Sequence, residues 1–272
     1  MKESCCQFGP EGRLAGIITE PGARTAPRLG LVLVSAGLLP KSGPYRLYAE
    51  LARRLARDGV VSLRFDLGGI GDSVQELGGH PLKARTELEI RAALDYLSER
   101  HALHGVVLAG LCSGAEDSLR GAAADPRVTG VVMIDAFAYR TSGWAWRHVV
   151  HRIKRRALCA LGLYEPIAPP GTADKRPRLV RYKYMERSES TPLLRTLLAR
   201  NAHIHFVYTA GMRELFNHER QLRASFEGVD FKDLVTLDYF PHLDHTQALE
   251  ADRQTLVDAI ARRLRAAADV EG

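Results

Sequence analysis

The sequence lacks any hydrophobic run long enough to cross a membrane, because no apolar stretch approaches the roughly 20 residues that a bilayer requires. Residues 1–10 contain two charges and no apolar run, so we expect no secretory signal. At 272 residues the chain is long enough to bury one large core without disulfides or metal ions. We therefore expect a cytoplasmic protein.

Cysteine is also scarce. The four cysteines are Cys5, Cys6, Cys112 and Cys159. Adjacent cysteines are poor disulfide partners, and no Cys-x-x-Cys or Cys/His ligand spacing is present. This pattern argues against a zinc site and against the disulfide framework of a secreted protein, so we expect four free thiols, no metal and no cofactor.

Acidic residues are rare in one segment. Residues 136–200 contain 14 Lys and Arg against four Asp and Glu, which leaves 24 basic and 28 acidic residues elsewhere. The net charge of +6 therefore belongs to a single segment. No nucleic-acid recognition motif accompanies this charge, so we expect no nucleic-acid partner.

Short apolar runs alternate with longer amphipathic stretches, a pattern typical of a parallel sheet flanked by helices. The predicted buried strands are 31–35, 60–65, 105–109, 129–134, 204–208 and 234–239, after an N-terminal hairpin of 7–8 and 14–19. The predicted helices are 45–58, 84–101, 116–124, 215–225 and 246–267.

The alternation is interrupted once, between the strands that end near 134 and begin near 204. A connection this long is usually functional or disordered, and its Trp, Tyr and Leu content argues against disorder. We predict a basic helical cap over 136–200, inserted in a core made of 1–135 and 201–272. The alternative is a solvated surface subdomain.

The strongest chemical signal surrounds Cys112. A buried strand leads into Gly110-Leu111-Cys112-Ser113-Gly114, which has the small-x-nucleophile-x-small spacing of a nucleophile elbow and precedes a helix. Two alternatives stay open at this point. Cys112 could be a buried small hydrophobe, or Ser113 could be the nucleophile, although Leu111 would then replace the first glycine.

Several segments together resemble one superfamily. These are 34–37, 42–46, the Phe-Asp-x-x-Gly-x-Gly-Asp-Ser stretch within 64–73, 110–115 and 244–246. In this order they resemble the α/β-hydrolases, in particular the Ser-aminopeptidase-like or lysophospholipase-like branch. The resemblance covers nearly the whole chain except the cap, and it implies a mostly parallel eight-stranded sheet flanked by helices.

The same resemblance suggests the partners of Cys112. The catalytic histidine of this fold follows the last strand, where His245 stands, with His242 as the alternative. The acid usually follows the penultimate strand, but Met212 occupies that position. We expect Glu214 to serve instead, with Asp135 as the alternative acid.

The predicted oxyanion hole uses two backbone groups, the N–H of Leu38 and the N–H of Ser113. Ala36 stands where relatives usually carry histidine, which is tolerable because the donor is a backbone group. Cysteine nucleophiles occur in dienelactone hydrolases, polyester synthases and some thioesterase-like domains, so the resemblance implies acyl transfer.

We therefore expect an enzyme that forms a Cys112 thioester. Water as the acceptor would make it an esterase or thioesterase, and an alcohol or amine would make it an acyltransferase. The competing class is a non-catalytic α/β-hydrolase scaffold that binds a ligand or a partner, which the Met212 substitution favours.

The basic cap suggests an anionic acyl donor. Arg147 and Arg152, beside Trp144 and Trp146, would suit coenzyme A, a phosphopantetheine carrier or an acidic glycan. A second interpretation is a membrane-surface helix with Leu158, Leu161 and Leu163 on its apolar side. The cap could also form a homodimer interface.

Overall fold

A computed structural model describes residues 1–22, 27–75, 80–163 and 183–270, with the side chains of 267–270 excepted. Its centre is an eight-stranded sheet whose strands are β1 (Lys2–Phe8), β2 (Leu14–Glu20), β3 (Leu29–Val34), β4 (Val61–Phe65), β5 (Gly105–Leu111), β6 (Val128–Ile134), β7 (His203–Thr209) and β8 (Val235–Phe240). Their spatial order in the sheet is β1-β2-β4-β3-β5-β6-β7-β8.

Only β2 runs against its neighbours; the six strands from β4 to β8 in the sheet are parallel. The predicted hairpin is confirmed as the β1–β2 pair at the sheet edge. Because the parallel strands end on one side, the residues that follow β3, β5, β6, β7 and β8 gather at a single carboxyl edge. Ligand sites of open α/β sheets form at this edge.

Helices cover both faces of the sheet. They are α1 (Leu47–Ala56), α2 (Leu82–Arg100), α3 (Ser113–Ala124), α4 (Ser142–Ala160), α5 (Arg187–Ala199), α6 (Arg220–Ser225) and α7 (Glu250–Val270). Helices α1 and α7 pack on one face, and α2, α3 and α5 pack on the other. The mostly parallel eight-stranded sheet flanked by helices is confirmed.

The apolar sequence of the strands explains why helices pack on both faces of the sheet. Leu31 and Leu33 of β3 pack with α1 and α7, whereas Val32 and Val34 pack with α2 and α3. Successive side chains of a strand point to opposite faces, so a continuous apolar run supplies both cores.

The insertion between β6 and β7 divides into unlike parts. Helix α5 places Leu194, Leu197 and Leu198 in the hydrophobic core, because their spacing puts them on one face. This helix is therefore part of the core, although it lies inside the predicted cap of 136–200. Helix α4 buries Trp144 near its start, and its residues from 148 to 157 are exposed to solvent. Residues 164–182, with the Pro-Pro-Gly of the predicted cap, lie outside the described residues.

Neither a membrane-spanning helix nor a cluster of metal ligands is found in the described part of the chain. No helix there is long and apolar enough to cross a membrane. No group of three or more His, Cys, Asp or Glu side chains there is arranged to hold a metal ion.

Candidate active site

Cys112 occupies a sharp turn between β5 and α3, at the carboxyl edge of the sheet. Its backbone angles are φ 53° and ψ −119°, a conformation that residues with a side chain rarely adopt. The turn directs Cys112 away from the strand while Ser113 begins the helix. The strained residue is therefore Cys112, at the centre of the sequence motif.

The two glycines of the motif are required by close packing. A Cβ atom on Gly110 would overlap the backbone of Gly114, and one on Gly114 would overlap the carbonyl oxygen of Val34. Helix α3 thus approaches the ends of β5 and β3 more closely than any side chain would allow. This packing supports the register in which Cys112, and not Ser113, is central.

A buried tyrosine supports the turn from below, and the sequence motifs do not reveal it. The hydroxyl of Tyr48 accepts the Leu111 N–H at 2.8 Å and donates to the Val34 carbonyl at 3.0 Å. The Cys112 N–H donates to the Ile134 carbonyl at 2.8 Å. The backbone on the strand side of the turn is therefore held by buried hydrogen bonds.

His245 lies between Cys112 and a buried carboxylate. Its Nδ1–H donates to Oδ2 of Asp135 at 2.8 Å, and Asp135 is fully buried at the end of β6. The backbone N–H of Thr209 donates to the other carboxylate oxygen at 2.7 Å, and the Thr209 hydroxyl donates to Oδ2. These bonds fix the carboxylate that orients the imidazole.

The structure does not place the preferred acid, Glu214, beside His245. Glu214 is exposed, and its backbone carbonyl accepts a hydrogen bond from Arg140. The structure places Asp135, the alternative, against His245. The reason is geometric: β6 and β7 are adjacent parallel strands, so residues at either strand end can reach the loop that carries His245.

The residues after β7 also explain why no acid stands there. A side chain at Gly211 would meet both His245 Nδ1 and Asp135 Oδ2, and Met212 is buried in the core. The position that usually carries the acid is thus filled by hydrophobic packing. The space beside the imidazole stays open for the carboxylate that arrives from β6.

Two hydrogen bonds make His245 strongly basic. The bond to Asp135 and a second bond to Cys112 raise the pKa of His245 from an ordinary 6.5 to about 10. The ring is therefore an imidazolium at neutral pH.

The loop of the predicted oxyanion hole is tied to the turn. The Gly37 N–H donates to Oγ of Ser113 at 2.8 Å, so the residue after Cys112 holds the loop that follows β3. No described residue accepts a hydrogen bond from the N–H of Leu38 or of Ser113. Both predicted donors remain available to a ligand.

A further aromatic residue near Cys112 was not predicted. Burial, followed by the electrostatic influence of Cys112, Asp135 and Glu116, raises the pKa of Tyr184. Its neighbour Met185 is held in place, because its N–H donates to Glu116 at 2.8 Å. Only the fold brings this segment to the site, and no motif surrounds Tyr184.

The predicted substrate-binding residues do not form one cluster. Trp144 is buried and stacks on His148, and Arg147 donates to the side chain of Asn217. Trp146 and Arg152 are exposed on the projecting part of α4. The four residues thus share a helix and face different surroundings.

The fold can be compared with those of known proteins. No protein-family model matches the sequence, and the search of curated proteins also found no match. Many solved structures do match. An α/β serine hydrolase without lid from Xanthomonas campestris has 16% identity and a TM-score of 0.58, covering 97% of this chain and 94% of that one. The chain has the α/β-hydrolase fold.

Two more structures have the same likeness to this α/β-hydrolase fold. A putative α/β hydrolase of unknown function from Agrobacterium tumefaciens gives a TM-score of 0.61 at 16% identity, covering 99% and 98% of the two chains. An α/β serine hydrolase homologue from Coxiella burnetii gives 0.59 at 16% identity, with 97% of both chains covered. At such identities the likeness shows the fold alone.

Proposed function

We propose that this protein is an acyl-transfer enzyme that cleaves esters or thioesters through a thioester on Cys112. The observation that carries the proposal is the bonded series Cys112–His245–Asp135 at the carboxyl edge of the sheet. A non-catalytic scaffold would have no need of a strained cysteine, a bonded imidazolium and a buried carboxylate in sequence.

The first half-reaction uses His245 as an acid. The Cys112 thiolate attacks the acyl carbonyl carbon, and the resulting oxyanion accepts hydrogen bonds from the N–H groups of Leu38 and Ser113. The bond from the carbonyl carbon to the leaving alcohol or thiol then breaks. The His245 imidazolium gives its Nε2 proton to the leaving group, so the products are the acylated Cys112 and a neutral alcohol or thiol.

The second half-reaction reverses the proton movement. Neutral His245 takes a proton from water while the water oxygen attacks the thioester carbonyl. The bond between carbon and Sγ breaks, which releases the carboxylic acid and restores the thiolate–imidazolium pair. Asp135 stabilises the charged imidazole in both half-reactions. His245 can therefore activate water more effectively than it could in a site that lacks an acid.

An anionic or carrier-linked donor is supported by a cluster of arginines. Arg140, Arg187 and Arg223 line a surface pocket with Glu227, and Arg140 lies only five residues beyond Asp135. Arginine suits phosphate and carboxylate groups because its planar fork can make paired hydrogen bonds. We expect Arg223→Ala to raise the KM for an acyl-coenzyme A and to leave the KM for a neutral thioester unchanged.

The test is intact-protein mass spectrometry after exposure to activated esters and thioesters. Wild type should gain the acyl mass, Cys112→Ala should not, and Cys5→Ala should behave as wild type because Cys5 is an exposed thiol elsewhere. Decay of the adduct in water, with and without added amines or alcohols, separates hydrolysis from transfer. An adduct that persists in Cys112→Ala, or a Cys112 that no donor acylates, would contradict the mechanism.

A further inference from the structure

Helix α4 carries an apolar face that lies open to solvent. Trp146 is 70% exposed, Ile153 is 63% exposed, and Val149 and Val150 are exposed between them. Their spacing of three, four and seven residues places all four on one side of the helix. A helix in a globular protein normally buries such a face, whereas α4 turns it outward.

The rest of α4 is basic. Arg147, Arg152, Lys154 and Arg155 lie on its other sides, Arg156 lies at the edge of the apolar face, and no Asp or Glu occurs between 142 and 163. Every residue from 148 to 157 is exposed. The helix therefore presents cations and an apolar stripe together, which is the composition of a helix that lies in a membrane interface.

The base of the helix is firmly attached to the core. Trp144 is buried, its carbonyl accepts a hydrogen bond from Asn217 at 3.2 Å, and Asn217 in turn accepts from Arg147 at 2.9 Å. Asn217 follows β7, and α4 follows β6, so both anchor points lie beyond the carboxyl edge. The exposed face is thus held on the side of the molecule that carries Cys112.

We propose that α4 docks this protein on the surface of a bilayer that contains anionic phospholipids. Trp146, Val149, Val150 and Ile153 enter the boundary between headgroups and acyl chains, while the arginines and Lys154 contact lipid phosphates. Nucleic acid would satisfy the charges and leave the apolar face in water. A second copy of α4 would bring two sets of like charges together.

Vesicle flotation with the full chain tests the docking. We expect binding to mixed phosphatidylglycerol–phosphatidylcholine vesicles that is at least about tenfold tighter than binding to phosphatidylcholine alone, and weaker binding at high salt. Trp146 is the exposed member of the two tryptophans, so its emission should shift to the blue on binding, and Trp146→Phe should remove the shift.

Two matched pairs of variants separate the apolar and basic contributions. Ile153→Asp should weaken vesicle binding at least about tenfold, whereas Leu88→Asp, on an exposed site of α2, should not. The double change Arg152→Ala and Arg156→Ala should weaken binding by about twenty-fivefold, because each cation contributes about fivefold. Arg57→Ala with Arg262→Ala, two exposed arginines outside α4, should have little effect.

The docking does not depend on thioester chemistry. Cys112→Ala should bind vesicles as wild type does, so a failure of the proposed reaction leaves this test intact. Equal losses in the control variants, or no flotation with any vesicle, would overturn the docking. Binding to duplex DNA in place of vesicles, or a dimer that Ile153→Asp dissociates, would overturn it as well.

Discussion

Asp135 is the side chain that orients His245 in the proposed site. It is fully buried, holds a positive backbone φ of 48°, and accepts hydrogen bonds from Thr209 and His245. A buried carboxylate is costly unless it is fully bonded, and here both oxygens have donors. Its burial and its bonds make the His245 imidazolium a stable resting form.

Replacing Asp135 tests the choice of acid directly. We expect Asp135→Asn to lower kcat/KM by at least about a hundredfold, because the imidazole loses both its charge partner and its orientation. Glu214→Gln is the matched control and should stay within about twofold of wild type, since the Glu214 side chain is exposed. Steady-state kinetics with one ester substrate measures both, and the opposite ranking would restore Glu214 as the acid.

The raised pKa of His245 also predicts how stability depends on pH. A pKa raised from 6.5 to about 10 means that the folded protein binds the proton more tightly than the unfolded chain does. The stabilisation from this group is complete below about pH 6.5 and is lost as pH rises towards 10. Urea unfolding at several pH values should show the advantage of wild type over His245→Gln shrinking across that interval. An advantage that grows with pH would contradict the assignment.

At the scale of elements, the turn between β5 and α3 depends on the contact of backbone with backbone. Tyr48 from α1 and the ends of β3 and β6 hold the strand side of the turn through buried hydrogen bonds. On the helix side, α3 packs directly against strand backbone, which is possible because Gly110 and Gly114 have no side chain. Three elements therefore converge to keep Cys112 in a strained conformation.

A pair of glycine substitutions measures this contact. Gly110→Ala should lower the free energy of unfolding by at least about 1–3 kcal/mol, because the new Cβ would push Gly114 and α3 away. The same displacement should reduce acylation of Cys112. Gly130→Ala in β6 is the control, since a Cβ there makes only ordinary contacts of 3.4 Å. Urea unfolding compares the two, and similar losses would show that close packing at Gly110 is not special.

At the scale of the whole molecule, one carboxylate ties the edge of the sheet to the rest. Glu3 of β1 forms ion pairs with Arg53 of α1 and Arg64 of β4. Burial alone would raise the pKa of Glu3, but the hydrogen bonds from the two arginines dominate and lower it to about 2. The edge hairpin is thus fastened to two elements that lie far from it in sequence.

This network should appear in the acid stability of the chain. A pKa lowered from 4.5 to about 2 gives stability that is complete above pH 4.5 and lost as pH falls towards 2. Glu3→Gln should therefore be less stable than wild type at pH 7, and the difference should fade between pH 4.5 and 2. Glu11→Gln, in an exposed pair with Arg13, should change little at any pH. Urea unfolding follows both variants, and a difference for Glu3→Gln that persists at pH 2 would rule out the ion pairs as its cause.

Local patterns were sufficient for most of the fold and for the centre of the site. Buried strands are continuous apolar runs, and the turn at Cys112 needs small residues at fixed spacing, so both are visible in a short stretch of sequence. His245 could be located because it follows the last strand. Between β6 and β7 the sequence pattern is less informative, because the helical period of α5 does not distinguish a core helix from a helix of the predicted cap.

The parallel sheet, the hairpin at its edge and the position of Cys112 can all be predicted from the sequence, since each depends on neighbours a few residues away. The contact between Asp135 and His245, and the packing of α5 on the sheet, follow only from the tertiary fold. Asp135 and His245 are 110 residues apart and meet because β6 and β7 end side by side. Helix α5 belongs to the core because its leucines meet the sheet, and which surface a helix meets is a property of the whole fold.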